Sequence, residues 1–246
     1  MKKTYKKIII ENIKTIIIAL FIAIIIRSLL IQPFYIPSSS MEPTLLIGDR
    51  IFVTKYSYGI SKHSFPFSPN FTSNRFFYKM PKRGDLVVFK TPADNRTDYI
   101  KRLIGLPGDT VQFIDGDIFL NDKKIEKKKI DNNLKIRCGA DREYQTNIYQ
   151  ETLKNGTSYI TAYNSIGTLM NTDKYIVPTD HFFLMGDNRD CSTDSRFLSQ
   201  VGYVNKINLV GKANLIFFSN DTLISPIIKF WNIKKSIRLD RFFKSL

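Results

Sequence analysis

Residues 110–120 have the sequence TVQFIDGDIFL, in which two short runs of β-branched and apolar residues flank an Asp-Gly pair. Such a pair favours a tight hairpin turn, because both of its residues readily take the positive φ angles that the turn needs. The stretch therefore predicts two antiparallel strands, over residues 110–114 and 117–120, joined at Asp115 and Gly116.

Runs of the same kind recur on both sides of this hairpin. They occupy residues 50–56, 85–90, 99–104, 158–163, 181–185 and 208–218. Asn155 and Gly156 form a second pair of the hairpin type. Short alternating runs separated by turn residues indicate a mostly β, antiparallel chain with few helices.

Residues 121–129 break this pattern, since seven of the nine are charged. Such a density of charge is typical of a solvated insertion. We extend the insertion to residue 175 and predict an inserted β subdomain there. The β core then has two parts, residues 32–120 and 176–220, and a basic aromatic tail follows at residues 221–246.

The start of the chain is predicted to be a membrane anchor. Residues 13–31 are almost entirely apolar, and about 20 such residues are needed to cross the hydrocarbon core of a bilayer. A cleavable signal peptide is disfavoured, because residues 32–37 lack the small-x-small pattern of a cleavage site. The lysines within residues 1–12 place that end in the cytoplasm and the rest of the chain across the membrane. We therefore predict a single transmembrane helix that serves as a signal anchor.

Charge argues against a nucleic-acid partner. The 37 Lys and Arg residues exceed the 22 Asp and Glu residues, for a net charge of +15, but the excess gathers towards the two ends of the chain. Nucleic-acid binders carry basic residues along a recognition element, and no helix-turn-helix, zinc-finger or RNP-like motif is present. The tail mixes Phe230, Trp231, Phe242 and Phe243 with basic residues. It suits a membrane interface and equally a basic helix on the domain surface.

The sequence offers little for a histidine-based or metal-based site. His63 and His181 are the only histidines, and no GxSxG motif accompanies them, so we interpret both as structural or surface residues. Zinc sites need three or four clustered ligands, which the sequence lacks. A calcium loop counted from Asp190 puts Ser195 where glycine is required and Val201 where the bidentate Glu is required. No metal and no organic cofactor is therefore predicted.

Serine chemistry with a lysine as base remains. Ser40 follows the anchor by only nine residues, so a nucleophile there would work close to the bilayer surface. Lys101 lies in an apolar run and shares one strand face with Tyr99 and Leu103, which would turn it inward. An ordinary lysine is almost fully protonated at pH 7, and burial is the usual way to lower its pKa. A strand lysine that faces water is the alternative, since most lysines are solvated.

Five segments together resemble the characteristic motifs of bacterial type I signal peptidases, in the same order along the chain. They are residues 38–45 (SSSMEPTL), 48–59 (GDRIFVTKYSYG), 83–89 (RGDLVVF), 99–109 (YIKRLIGLPGD) and 185–196 (MGDNRDCSTDSR). Members of this family are membrane-anchored serine endopeptidases that remove signal peptides from exported preproteins. The resemblance implies that preprotein signal peptides and the lipid bilayer are the partners. It also implies a catalytic domain on the periplasmic, or extracytoplasmic, side of the bacterial cytoplasmic (inner) membrane.

The resemblance also implies roles for particular residues. Ser40 is the nucleophile and Lys101 the general base, and Ser38 with the Ser40 backbone amide forms the oxyanion hole. Ser192 is implied to hydrogen-bond the base. The supporting polar loop contains Asp187, Arg189, Asp194 and Arg196.

The family selects small side chains, typically Ala, at the first and third positions before the cut. Such selection suits shallow apolar pockets that exclude bulky groups by clash. By resemblance the walls of these pockets are Ile36, Met41, Leu45, Tyr99 and Ile100. The substrate is expected to bind as an added strand beside residues 36–38 and the strand around Tyr99.

Two positions depart from the family pattern. Ser39 stands where the family usually has glycine, which restricts the backbone angles open to the loop. Cys191 stands where asparagine is usual, and the sequence does not decide whether it pairs with Cys138, the only other cysteine.

Two other functions stay open at this point. One is a self-cleaving repressor-type serine enzyme with a related β core, which would be cytosolic and would carry a DNA-binding module. The other is an inactive β-rich binding module on the membrane. The anchor argues against the first, and loss of proteolysis on substituting Lys101 would argue against the second.

Overall fold

The computed structural model describes residues 2–70, 72–139, 142–164, 169–221 and 236–246. One long helix, α1 (Lys2–Ile25), precedes a chain of strands. The strands are β1 (Ile31–Tyr35), β2 (Asp49–Thr54), β3 (Leu86–Lys90), β4 (Asp98–Gly105), β5 (Thr110–Ile114), β6 (Asp117–Leu120), β7 (Lys123–Lys124), β8 (Glu126–Arg137), β9 (Glu143–Thr152), β10 (Ser158–Tyr163), β11 (Tyr175–Ile176), β12 (His181–Met185), β13 (Val204–Asn205), β14 (Leu209–Ser219) and β15 (Lys244–Ser245). The prediction of a mostly β chain is confirmed, and each of the eight predicted strands has an observed counterpart.

The anchor helix differs from its prediction at both ends. A stretch over Ile8–Leu30 is long and apolar enough to cross a membrane. The α-helix ends at Ile25 and widens into a π-turn over Ile26–Leu30. Ile31, predicted to end the span, instead begins β1 and pairs with Thr54 of β2. Pro33, two residues further on, suits this edge strand, because it has no N–H to donate.

The main sheet carries the residues of interest on its central strands. Its strand order is β1-β2-β14-β3-β4-β12-β13, with β15 paired to β14, and all pairs are antiparallel. In this register Lys101 of β4 lies opposite Val87 of β3. Arg102 of β4 lies opposite Met185 at the end of β12. The sheet therefore places the end of β12, and the polar loop after it, beside β4.

The hairpin at residues 110–120 forms as predicted. Ile114 of β5 pairs with Asp117 of β6, and Asp115 and Gly116 both have positive φ, at 50° and 77°. These angles are those of the mirror-image turns that match the twist of a hairpin. The hairpin belongs to a four-stranded sheet of order β11-β5-β6-β7.

Two long strands lie in the insertion that was predicted to be a β subdomain, although neither strand was predicted individually. β8 and β9 pair with each other and form, with β10, a separate three-stranded sheet. Lysines such as Lys127 suggest a solvated segment and so gave no indication of a packed strand. In the structure the Lys127 ammonium lies 3.7 Å from the ring centre of Tyr163. A lysine can bury its stem and place its charge over an aromatic face in this way.

The end of the chain packs against the main sheet. Residues 222–235, including Phe230 and Trp231, lie outside the described residues. Beyond them Arg241 is buried and binds Asp49 at 2.6 Å, and the Phe242 ring lies 5.2 Å from that of Phe218. The described part of the tail contains one 3₁₀ turn, Leu239–Arg241, and the short strand β15.

Candidate active site

A single turn of 3₁₀-helix, Ser39–Met41, presents the Ser40 side chain. The side chain is 9% exposed. The turn is fixed by the loop that follows β12, because the Asn188 backbone amide donates to the Ser40 carbonyl at 3.2 Å. The Asn188 side chain also donates to the Ser39 carbonyl at 3.0 Å.

Ser39 fits the turn although the family usually has glycine there. Its φ is not positive, so the position does not need the conformational freedom of glycine. Its hydroxyl accepts a hydrogen bond from the Gly139 amide at 3.1 Å. The departure therefore adds a contact between the turn and the chain that follows β8.

Lys101 meets Ser40 inside the protein. Its Nζ lies 2.5 Å from the Ser40 Oγ and 5.5 Å from the ring centre of Tyr99. The side chain is only 3% exposed, so the alternative of a water-facing lysine does not describe this structure. Strand alternation predicted the correct face for Lys101. The two residues are 61 positions apart in the sequence and are brought together by the pairing of β2, β14, β3 and β4.

Burial changes the acid–base behaviour of this amine. It lowers the pKa of Lys101 to about 8, against the opposing attraction of Asp194 and Asp187. Arg196 adds repulsion in the same direction as burial. The neutral amine, which can accept a proton, is therefore far more populated near neutral pH than in an exposed lysine.

Ser38 stands beside the nucleophile. Its Oγ lies 3.3 Å from the Ser40 Oγ, and Ser38 is extended, with φ −126° and ψ 154°. Ser38 and Ser40 both line the same cavity.

The polar loop after β12 is held by buried ion pairs. Asp187 binds Arg102 through two contacts, at 2.6 and 2.8 Å. Arg189 binds Glu151 of β9 at 2.8 Å. Asp194 binds Arg196 at 2.8 Å, and these guanidinium contacts hold the pKa of Asp194 below its usual value although burial opposes them.

Ser192 makes a different bond from the one that the resemblance implied. Its hydroxyl donates to Asp194 Oδ2 at 2.8 Å, and the structure gives no hydrogen bond from it to Lys101. Asp194 is already the carboxylate whose charge acts on Lys101. Ser192 is therefore linked to the Lys101 amine through the Asp194 carboxylate.

Gly186 allows the loop to approach the nucleophile turn. A Cβ at this position would stand 2.5 Å from the Ser40 carbonyl oxygen and closer still to the Ser192 side chain. Carbon atoms do not approach backbone oxygen so closely, so only glycine fits without a shift.

A cavity of about 550 Å³ opens on the Ser40 side chain. Ile36, Tyr99 and Ile100 line it, as the resemblance implied, together with Ser38 and Lys101. Met41 and Leu45 do not line it.

The structure corrects the placement of Met41 and Leu45 as pocket walls. Both side chains are 0% exposed in the hydrophobic core beneath the main sheet. The 3₁₀ turn that points Ser40 outward turns the next side chain, Met41, inward. Apolar type alone could not separate these two from the lining residues.

A disulfide joins Cys138 to Cys191, which answers a question that the sequence left open. Cys138 follows β8, and Cys191 ends the short 3₁₀ turn Arg189–Cys191 in the polar loop. Cys191 and Gly139 both line the cavity. The bond thus fastens the insertion to the loop at the rim of the site.

Three residues of the site were not predicted: Arg102, Asn188 and Glu151. Arg102 follows Lys101 in the same motif, and strand alternation would have placed it on the opposite face, towards the loop. Asn188 lies in the quoted loop motif. Glu151 gave no signal in the sequence, because its partner Arg189 lies in the loop after β12, far along the chain.

Neither histidine belongs to the site around Ser40 and Lys101. The His63 ring bonds Ser68 at 2.9 Å, and that of His181 bonds the Thr179 carbonyl at 2.8 Å. In the described part of the chain no group of three or more His, Cys, Asp or Glu side chains is placed to hold a metal ion.

Comparisons with known proteins agree on one family. The family model described as signal peptidase, peptidase S26, matches residues 9–218. A signal peptidase I of Rickettsia typhi is 43% identical in an alignment of 243 positions that covers 92% of this chain and 89% of that protein. One of Rickettsia bellii is 39% identical in an alignment of 250 positions that covers 95% of this chain and 84% of that protein. A solved signal peptidase I from Enterococcus faecalis V583 is 27% identical and covers 55% of this chain and 97% of its own, with a TM-score of 0.32.

Proposed function

The chain belongs to the signal peptidase family of serine peptidases, peptidase S26, and we propose that Ser40 and Lys101 act as the catalytic dyad that cleaves signal peptides. The observation that carries this proposal is the 2.5 Å contact between Lys101 Nζ and Ser40 Oγ in a buried site. Because the chain belongs to this family, it is neither the self-cleaving repressor nor the inactive binding module considered above.

The geometry supports a two-step acyl transfer. Neutral Lys101 takes the Ser40 proton as the oxygen attacks the carbonyl carbon before the cut, and the resulting ammonium protonates the leaving amine. The acyl chain is then an ester on Ser40. Lys101, neutral again, takes a proton from a water molecule that attacks this ester, and the proton returns to Ser40 as the product acid leaves.

Ser38 is proposed to stabilise the negative oxygen of the tetrahedral intermediate. Its hydroxyl oxygen lies 3.3 Å from that of Ser40, and the Ser40 backbone amide is proposed as the second donor. Losing one such donor typically costs about 100-fold to 1,000-fold in rate.

The substrate is proposed to bind as a strand along β4. β12 pairs with β4 only from Arg102 onward, so one edge of residues 98–101 is not paired with another strand of the described sheet. A peptide on that edge would pass Ser40 with its side chains directed towards Ile36, Tyr99 and Ile100. These walls favour small side chains at the first and third positions before the cut.

We also propose that the catalytic domain lies on the outer face of the bacterial cytoplasmic membrane, with the N-terminus inside. The lysines before the span support this orientation by the positive-inside rule. The Cys138–Cys191 disulfide supports it independently, because such bonds persist in oxidising compartments outside the cytoplasm.

The test is cleavage of a preprotein bearing an Ala-x-Ala site by the full chain in detergent. Wild type is compared with Ser40→Ala and Lys101→Met, and Lys212→Met serves as a matched strand-lysine control whose amine binds Asp85 instead. We expect wild type and the control to cut after the second Ala and both dyad variants to be inactive while folded. Undiminished cleavage by Ser40→Ala or Lys101→Met would overturn the dyad, and cleavage elsewhere would overturn the proposed specificity.

A further inference from the structure

A second cavity, of about 670 Å³, lies where the anchor meets the β domain. Arg27, at the end of the apolar span, lines it together with Lys55, Lys62, His63 and Lys90. It shares only Phe34 and Asp98 with the lining of the catalytic cavity. In a chain that spans the bilayer, this position is at the level of the lipid headgroups.

The cavity holds more positive than negative charge. Five cations line it, Arg27, Lys55, Lys62, Lys90 and Arg96, against the two carboxylates Asp94 and Asp98. Among these, Lys90 forms an ion pair with Asp98, with its Nζ 2.9 Å from the Asp98 Oδ2.

Four of these cations have no carboxylate within ion-pair distance among the described residues: Arg27, Lys55, Lys62 and Arg96. Lys55 is 3% exposed and donates to the neutral carbonyl of Ser64 at 2.6 Å. Burial, assisted by repulsion from Arg27, lowers its pKa to about 8. A buried amine in this setting is stabilised in its charged form by an anion brought in from outside.

His63 supplies an unused polar group. Its side chain is 3% exposed, and its Nε2 has no hydrogen-bond partner among the described residues. Burial lowers the pKa of His63 to about 4, so the ring is neutral at pH 7. In the tautomer in which Nδ1 accepts from Ser68, Nε2 carries the proton and can donate to an oxygen.

The loop over the cavity places an apolar side chain outward. Phe67 is fully exposed, and Phe67 and the next residue, Ser68, have positive φ, at 62° and 48°. Non-glycine residues adopt such angles at a cost, which is frequent at binding sites. An exposed aromatic ring beside a cationic cavity suits the headgroup region, where apolar and charged groups meet.

We propose that this cavity binds a phosphate-bearing anion, with an anionic phospholipid beside the anchor as its source. Arg27 and Lys62 contact the phosphate from the open side, and Lys55 supplies charge from below. The proposal assumes that the anchor spans the bilayer but does not depend on the Ser40–Lys101 dyad.

The test measures lipid binding to the full chain in mild detergent by native mass spectrometry and by the shift in Tm. The probes are phosphatidylglycerol, phosphatidylcholine and inorganic phosphate. We expect one phosphatidylglycerol to be retained and to raise Tm, with phosphatidylcholine giving neither effect. The variant Arg27→Gln with Lys62→Gln is expected to bind phosphatidylglycerol at least tenfold more weakly, since each basic side chain near a lipid surface contributes about fivefold.

The matched control is Lys128→Gln with Lys135→Gln, which removes the same charge from exposed positions on β8. It should bind phosphatidylglycerol as wild type does. Equal loss in the control, or equal retention of phosphatidylcholine, would overturn the site. If inorganic phosphate alone produces the full shift and excludes the lipid, the anion site stands and the lipid source is overturned. Because none of these readouts uses proteolysis, failure of the dyad would leave them unchanged.

Discussion

Lys101 shows how position alone can give an ordinary side chain an unusual property. The amine is 3% exposed and lies near two carboxylates, Asp194 and Asp187, and one cation, Arg196. Burial outweighs the carboxylates and lowers its pKa to about 8. Two consequences at this scale can be measured.

The first is the pH dependence of cleavage. Because the base must be neutral, kcat/KM should rise with pH up to about pH 8, where the pKa of Lys101 lies, and level off above it. Cleavage of a short peptide, with chemistry shown to be rate-limiting, measures this profile. A rate that is flat between about pH 5 and 9 would contradict the use of Lys101 as the base.

The second is a pH-dependent stability. A lysine whose pKa is lowered on folding binds fewer protons in the folded state, so its contribution destabilises the fold below about pH 8 and fades as pH rises towards 10.5. Lys101→Met should therefore be more stable than wild type at pH 7, by about 1 to 3 kcal/mol, and the difference should shrink by pH 10. Urea unfolding at both pH values tests this. A constant difference would mean that folding does not lower the pKa of Lys101.

At the scale of elements, β4 serves two purposes with its two faces. Lys101 points to Ser40, and its neighbour Arg102 points to Asp187 in the loop after β12. Gly186 begins that loop, and its missing side chain lets the Ser40 carbonyl approach. The spacing between nucleophile and loop therefore depends on one glycine.

Gly186→Ala should disturb the site by steric clash alone, because no positive φ is involved at this position. Forcing a methyl group into a packed site typically costs about 1 to 3 kcal/mol, and we expect kcat to fall at least tenfold. Gly108→Ala is the control for loss of a glycine without a clash: its φ of 86° adds backbone strain, but nothing lies within 4 Å of its Cβ position. Equal loss of activity in the two variants would show that close approach at Gly186 is not the cause.

The disulfide makes a separate contribution. Cys138 and Cys191 close a loop with a sequence separation of 53 residues, and a bond of this span typically stabilises a fold by about 2 to 4 kcal/mol. The double variant Cys138→Ser, Cys191→Ser should show a correspondingly lower Tm, and wild type in reductant should match it. Unchanged Tm in both would mean that the insertion and the polar loop are held by Arg189, Glu151 and Asn188 without the bond.

The strands show how far the sequence carries the fold. The hairpin at residues 110–120 was predictable because its turn chemistry and its alternation agree locally. β8 and β9 were predicted only as part of a β subdomain, because the lysines of β8 suggest a solvated segment, whereas Lys127 lies over aromatic rings of β9 and β10. The fold of the main sheet follows from pairing between distant segments, and a single sequence does not encode that order in any local pattern.

At the scale of the whole molecule, the site is assembled from three distant segments. Strand pairing in the main sheet brings them together: the turn at Ser40, the strand at Lys101 and the loop at residues 187–196. Their residues could be identified from the resemblance, but the partner of Ser192 and the burial of Met41 and Leu45 could not. Those details depend on which way each side chain packs, which motif spacing does not determine.

The measurement that tests the central claim most directly is trapping of the covalent intermediate. The full chain in detergent is mixed with a preprotein substrate, quenched in acid within a turnover, digested and examined by mass spectrometry. We expect the acyl group of the cleaved signal peptide on Ser40 in wild type and on no residue in Ser40→Ala or Lys101→Met. An acyl group on another residue, or wild-type turnover with none on Ser40 when deacylation is rate-limiting, would contradict the dyad.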